Sequence, residues 1–504
     1  MGIIKREGVK NTVLSYVGVI IGSLSALLIY PLDQEAYGLA AFLYSTAFFL
    51  LPFASFGVSS AITKFFPKFH TKNSNHNNGF LFFILSIAVS AYLIFLTLFL
   101  FFKSFFFSVL GAIGLGEANL SENYLLVLSL LFALLIVYIF TFFLSNYHKT
   151  VMPSFFQNFL YKIFLPIIVF LHYIKFMSTS SFSLGVVLFF VFVALALIVY
   201  TIRLGYFNIK PVPKGFLTVP FKKDIRSYLS FSFFNVIGHT LAFRIDLVMV
   251  AMMLGFSMNG TYGILFTLAS TIDIPNRAIL QIASPIISAS WEKNDTKEID
   301  EIYKKSSINL MTFGVFLFLG VWLCIDSLLD LSTNTKSLSE VKYIFFFLGL
   351  SKLVDMITSV NSQIIIFSKY YRYNLIFLII LGLVNVISNY YFIGEYNVIG
   401  AAIATLIAVS LYNIIKLVFI YVKMGFHPFS INIFKAIALG LAAYFIALYV
   451  PVQSNPFVNI IIKGTVFSMI YLPPVLYFNI APDMSQLFYE LVQKIQGFGK
   501  GKKH

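Results

Sequence analysis

The sequence predicts an all-α polytopic membrane protein of about fourteen transmembrane helices, arranged as two six-helix bundles related by a parallel repeat plus two C-terminal helices. Three observations predict this class. The 504 residues are 59% hydrophobic and only 11% charged, with mean hydropathy +0.89, whereas a soluble chain carries roughly a quarter charged residues. Apolar runs long enough to span a bilayer, roughly 20 residues at 1.5 Å each, follow one another with little gap; an outer-membrane barrel would show short alternating segments instead. Basic residues gather in alternate connecting segments.

In order, the runs lie at about 11–30, 36–62, 79–102, 123–146, 151–171, 182–201, 227–254, 260–288, 306–330, 340–366, 370–391, 397–423, 432–450 and 457–479. The first follows Lys5, Arg6 and Lys10 like a signal peptide, but it is too long for an h-region and has no small-residue cleavage site, so it reads as a retained helix. Residues 202–226 hold Pro211, Pro213 and Pro220 and form a linker that splits the chain. An offset of 225 places Tyr37-Gly38 on Tyr262-Gly263, Ser45-Thr46 on Ser270-Thr271, and Ser59 on Ser284. The expected organisation is therefore 1–201 as an N-terminal six-helix bundle, 202–226 as a cytoplasmic linker and 227–431 as a second bundle. Two additional helices at 432–481 and a basic tail at 482–504 complete it.

Topology explains the net charge of +15. With the N-terminus inside, 25 of the 35 basic residues fall in inner segments and 5 in outer segments or their margins. That asymmetry places both termini in the cytoplasm and assigns the charge to orientation and anionic lipid rather than to nucleic acid. The one cysteine, Cys324, lies in an apolar run, so neither a disulfide framework nor a cysteine metal site is available. The inner segment 70–78, HTKNSNHNN, has two histidines but no carboxylate or cysteine, which argues against a metal.

Eight charged side chains fall inside predicted spans: Lys162, Arg244, Asp246, Asp273, Arg277, Lys352, Asp355 and Lys416. At a lipid-facing helix centre each costs about 2.5–3.5 kcal/mol, so most must face water or one another. Five are basic and three acidic, a surplus that suits an anion. In the run 260–288, read as one helix, Asp273, Arg277, Gln281, Ser284 and Ser288 share about one quadrant with Ser270 beside them. Asp273 and Arg277 also have the spacing of a helical ion pair. Lys162, with Asn158 one turn away and Gln157 and Tyr161 beside it, has no carboxylate in its own helix and is the best single anion ligand. Lys352 and Asp355 either neutralise each other or line a polar surface continued by Ser359 and Gln363. Lys416, seven residues from its helix end, is expected to snorkel to the interface. Asn235, His239 and Asp246 share a face within about 40° while Arg244 points the opposite way. His239 beside Asp246 is either a proton relay or an interhelical hydrogen bond. Asn11, Ser15, Gly18, Gly22 and Ser25 share one side of the first helix, for close packing or for cavity lining.

Two stretches resemble a known family. One is the N-terminal pair of spans, ending in AYGLAAFLYSTAFFLLPFASFGVSSAITKFFPKF; the other is FRIDLVMVAMMLG followed by TYGILFTLASTIDIPNRAILQIASPIISASWEKND and EIYKKSS. Through them nearly the whole chain resembles the bacterial polysaccharide flippases of the Wzx, O-antigen type, in the superfamily that includes MATE exporters and lipid II flippases. The resemblance implies a MATE-like fold with two six-helix bundles facing a central cavity. It implies alternating-access translocation of an undecaprenyl-pyrophosphate-linked oligosaccharide from the inner to the outer leaflet of the cytoplasmic membrane, for surface polysaccharide biosynthesis. Implied partners are that lipid-linked oligosaccharide, membrane lipid, and a polysaccharide polymerase and chain-length regulator. No organic cofactor or metal is expected. Coupling to H+ or Na+ would fall to Asp246 or Asp273. The substrate-binding cations are then Lys162, Arg277, Lys352 and Arg244, with Asp246, Asp273, Asp355, His239, Asn235, Asn158, Gln281 and Gln363 as coupling or polar lining. An ion-coupled drug exporter on the same fold would favour a carboxylate-rich interior. A membrane polymerase or ligase would need a larger outer loop than 103–122 or 326–340.

Overall fold

The computed structural model describes residues 2–69, 79–112, 117–213, 216–332, 335–452, 454–482 and 485–486. The segment 70–78, most of the basic tail, and the side chains of Asn11, His239 and Arg244 lie outside the described residues. Among the described residues every regular element is helical. The long helices are α1 Gly2–Leu28, α2 Gln34–Ser55, α3 Val58–Phe69, α4 Phe80–Ala112, α5 Glu117–Ser145, α6 Val151–Tyr173, α7 Thr179–Arg203 and α8 Val219–Leu254. They continue as α9 Phe256–Ser270, α10 Ile274–Glu292, α11 Thr296–Leu323, α12 Tyr343–Thr358, α13 Asn361–Phe367, α14 Tyr371–Met424, α15 Ile431–Leu448 and α16 Pro456–Tyr477. Ten helices among the described residues are long and apolar enough to cross a membrane, or eleven when the bent pair α12–α13 counts as one span. The 54-residue α14 is itself two helices, because Tyr396 and Asn397 (φ 52°, ψ −141°) break it between the predicted runs. The chain is a multi-pass membrane protein.

Local chemistry sets the helix starts. The Asp33 carboxylate accepts from Ala36 N at 3.0 Å to open α2, and Ser178 accepts from Ser181 N to open α7. Thr218 caps α8 and Pro220 occupies its first turn, where a missing N–H costs nothing. Asp295 accepts from Glu298 N at 3.0 Å to open α11. Removing that acceptor in Asp295→Ala is expected to lower stability by about 1 kcal/mol, read as a reduced thermal midpoint with an unchanged helical spectrum.

Two predicted single helices are broken. The run 260–288 divides at Thr271–Asp273 into α9 and α10, because Pro275 in the first turn of α10 has no N–H to carry the ladder across. Ser270 therefore ends one helix while Arg277, Gln281 and Ser288 lie on the next, which corrects the single stripe expected. The run 340–366 divides at Ser359 (φ 42°, ψ −113°), with a bend of 48° between α12 and α13. Ser359 and Gln363 consequently do not prolong the Lys352–Asp355 face as one helix.

The residues form two compact units. The first comprises 1–264 with 381–401 and is centred on α2, which packs against α5 and α8 with Phe42, Leu43 and Ala47 fully buried. Inside this unit α2 meets the start of α9 backbone to backbone. A methyl group added at Gly38 would overlap the Phe256 carbonyl, and one at Gly260 would overlap the Gln34 carbonyl. Asn259 Nδ2 donates to the Gly38 carbonyl at 2.8 Å across the same crossing. Tyr37 and Gly263, from the two repeat-related Tyr-Gly pairs, also touch there.

The second unit comprises 265–380 with 402–504 and is centred on α11, packed against α12 and α15. Gly440 faces Val315, Gly349 faces Phe318, and the Tyr471 hydroxyl donates to the Thr312 carbonyl at 3.0 Å. Small residues admit close helix contact, and a hydroxyl deep in the bundle finds a carbonyl. The six-plus-six-plus-two organisation follows chain order, whereas these units follow packing.

Candidate functional site

In the second unit, the α9–α10 break presents a cation held from behind. Asp273, at the N-cap position of α10, accepts from Asn276 Nδ2 at 3.0 Å through Oδ1 and from Arg277 Nε at 3.0 Å through Oδ2. The Asp273 side chain is 17% exposed and that of Arg277 66% exposed. Because the pair uses Nε, both Nη groups of the guanidinium keep their donors, the fork geometry that matches phosphate oxygens. Gln281 is exposed one turn further on, and Ser288 is half-buried beyond it. Ser284 turns its hydroxyl back onto the Leu280 carbonyl.

The Asp355 carboxylate is committed elsewhere. Asn413 Nδ2 donates to its Oδ1 at 2.7 Å, while Asn413 Oδ1 accepts from Thr358 Oγ1 at 2.9 Å and Asn361 Nδ2 at 3.0 Å. No Lys352–Asp355 ion pair forms within 4.0 Å; a carboxamide holds the carboxylate instead. Lys352 is half-buried, and Gln363 lies past the bend with its Oε1 buried and unpartnered. Lys416 does not snorkel. It is 1% exposed, bonded to Ser362 Oγ, with its ammonium 4.2 Å from the Tyr412 ring centre.

In the first unit, α6 contains a π-helical stretch at Phe155–Leu160, just before Lys162. Such stretches recur at functional sites. The half-buried Lys162 lies over the glycines of α1: a methyl group at Gly22 would approach its Cδ to 3.5 Å and its Nζ to 3.7 Å, and one at Gly18 would approach the Asn158 carbonyl to 2.7 Å. The small-residue side of α1 thus cradles this lysine. The Asn158 side chain is exposed, whereas Gln157 is tied to Thr141 Oγ1 at 2.8 Å and Tyr161 stacks with Tyr44.

Also in the first unit, Asp246 is 4% exposed. Its Oδ1 accepts from Asn385 Nδ2 at 2.8 Å and lies 3.5 Å from Asn389 Nδ2; its Oδ2 accepts from the fully buried Tyr262 hydroxyl at 3.2 Å. Asn389 Oδ1 is buried without a partner. Asn235, predicted on the Asp246 face, is half-buried; the His239 and Arg244 side chains lie outside the described residues. Sequence reasoning missed Asn385 and Asn389. The available signal was two carboxamides four residues apart in an otherwise apolar run, which places both on one helix face.

No protein-family model matches the chain, and no curated protein matches it in sequence. Solved structures do. The lipid II flippase MurJ in an inward closed conformation superposes with TM-score 0.68 at 16% identity, over 93% of this chain and 98% of that one. The fold is MATE-like. An inward-facing multidrug resistance MATE family transporter of the MOP superfamily gives TM-score 0.58 at 14% identity, covering 81% of this chain and 94% of its own. A MATE in the straight conformation gives 0.52 at 14% identity, covering 84% and 96%. These neighbours are a flippase and transporters, and at such identities the similarity is one of fold.

Proposed function

We propose that this protein moves an undecaprenyl-pyrophosphate-linked oligosaccharide from the inner to the outer leaflet of the bacterial cytoplasmic membrane by alternating access, in surface polysaccharide biosynthesis. The observation that carries this reading is how the membrane-depth charges are used. Asp246 and Asp355 are enclosed by carboxamides of the chain, and Asp273 orients Arg277, whose guanidinium remains 66% exposed. Within the second unit, a carboxylate that orients an accessible fork supports a site for an anion such as a diphosphate. Lys162 with Asn158 in the first unit, and Lys352 with Gln281 in the second, belong to the proposal as cationic and sugar-facing polar groups of their own units. The organisation into 1–201, 227–431 and 432–481, with cytoplasmic termini, belongs to the same proposal, as do a polymerase and a chain-length regulator as partners.

Thermal stabilisation of the purified protein by undecaprenyl diphosphate tests the reading. The lipid raises the midpoint of the wild type and not that of Arg277→Ala; stabilisation by organic cations alone contradicts it and favours the MATE-type export reading. One observation supports ion coupling in either case. The Asp246 carboxylate, the Tyr262 hydroxyl and the carboxamides of Asn385 and Asn389 form a hard oxygen donor set suited to Na+ or a proton, with Asn389 Oδ1 still unpartnered. Asp246→Asn is expected to keep lipid binding while transport loses its response to an imposed Na+ or H+ gradient; an unchanged response removes Asp246 from coupling.

A further inference from the structure

The α6–α7 hairpin of the first unit carries an apolar groove of about 520 Å³, inside the range of roughly 300–1,000 Å³ typical of small-molecule sites. Phe164 and Phe189, stacked with ring centres 4.5 Å apart, line it, and the exposed Leu188 and Phe192 leave it open to the side. Gly185 keeps it deep: a methyl group there would meet only Met177 Cε, at 3.9 Å. Along α6 the groove runs from Leu160 to Ile168, about 12 Å at 1.5 Å per residue, against about 15 Å for one leaflet of the hydrocarbon core.

Polar groups gather at the end that Met177 closes. Met177 belongs to the α6–α7 turn, and two residues before it Lys175 is exposed and pairs with no carboxylate among the described residues. Ile168 lies one turn before His172, whose Nδ1 is 2.6 Å from Asp33 Oδ2 and whose Nε2 is 3.2 Å from Thr179 Oγ1. That carboxylate is spent, since its other oxygen accepts from Ala36 N at 3.0 Å. The Ser178 and Ser181 hydroxyls lie 3.0 Å apart at the start of the 25-residue α7, where a helix offers N–H donors and the positive end of its dipole.

We propose that this hairpin seats one anionic phospholipid, with an acyl chain in the α6–α7 groove and its phosphate between Lys175 and the start of α7. The groove walls are as apolar as lipid tails, so a chain gains little by entering it, and the headgroup decides which lipid is held. A phosphate diester without an amine complements the free ammonium, whereas a choline headgroup brings a cation of its own to it. The one-leaflet length suits an acyl chain, and a polyprenyl tail would overrun it. With Lys175 in an outer segment, the lipid belongs to the outer leaflet.

The test uses full-length protein stripped of lipid in a neutral detergent. Thermal midpoints are compared after addition of phosphatidylglycerol or of phosphatidylcholine with the same chains. Phosphatidylglycerol is expected to raise the wild-type midpoint by about 2–3 °C more than phosphatidylcholine. The inner segments are also basic, so the readout is the change that two variants make in this difference. Gly185→Leu, which fills the groove, and Lys175→Ala, which removes the ammonium, should each cut it by about half or more, while Lys175→Arg keeps it. No difference in the wild type, or a difference that either variant leaves unchanged, overturns the proposal. So does a midpoint raised by undecaprenyl phosphate and not by phosphatidylglycerol, and lost in Gly185→Leu, which assigns the groove to a polyprenyl tail. If Gly185→Leu is recovered only as aggregate, Lys175→Ala, a change at an exposed side chain, decides alone.

Discussion

Arg277→Ala is expected to reduce transport of a diphosphate-linked lipid by about 10- to 100-fold while leaving the protein folded. Each charge-assisted hydrogen bond to an anion contributes about 1.5–3 kcal/mol, and tenfold is about 1.4 kcal/mol. The guanidinium is 66% exposed, so its removal leaves no cavity; the orphaned Asp273 keeps its Asn276 bond at 3.0 Å. Arg277→Lys restores the charge but not the two-pronged geometry, and recovers only part of the rate. Asp273→Asn acts differently. It loosens the Nε contact at 3.0 Å and so lowers rate through the placement of Arg277 rather than through charge. Equal rates for wild type and Arg277→Ala would remove this arginine from the substrate path.

Gly38→Ala and Gly260→Ala are expected to have the largest effect on folding. At both positions the first atom of a side chain would overlap a carbonyl oxygen of the facing helix, Phe256 in one case and Gln34 in the other. Those carbonyls belong to backbone that cannot rotate aside, so α2 and α9 must separate, losing the Asn259 bond to the Gly38 carbonyl at 2.8 Å as well. A cost of about 3–5 kcal/mol is expected, large enough to shift most of the protein out of the monodisperse peak on size exclusion. Gly464→Ala is the control, since nothing lies within 4 Å of the added methyl. A normal profile for Gly38→Ala would refute the close crossing.

The spans were legible because bilayer thickness imposes a length, and the charged residues within them stand out against apolar surroundings. The breaks were less so. Pro275 marks the one at Thr271–Asp273, but nothing in the residues around Ser359 announces a left-handed backbone there. Partners were the least legible. Asp355 lies three residues from Lys352 in sequence yet bonds to Asn413, far along the chain, and Lys416 bonds to Ser362 on the helix that follows the bend. Spacing along one helix identifies neighbours on its own surface. It is silent about the groups another helix brings.

The central claim is that the cargo is a lipid-linked anion. It is tested most directly by reconstituting the wild type in vesicles loaded with fluorescent undecaprenyl-pyrophosphate oligosaccharide and following its exposure to a membrane-impermeant quencher. Transfer well above that of protein-free vesicles, slowed about 10- to 100-fold by Arg277→Ala, is the predicted result. Transfer no faster than in empty vesicles, from a preparation that exchanges an organic cation, would contradict it.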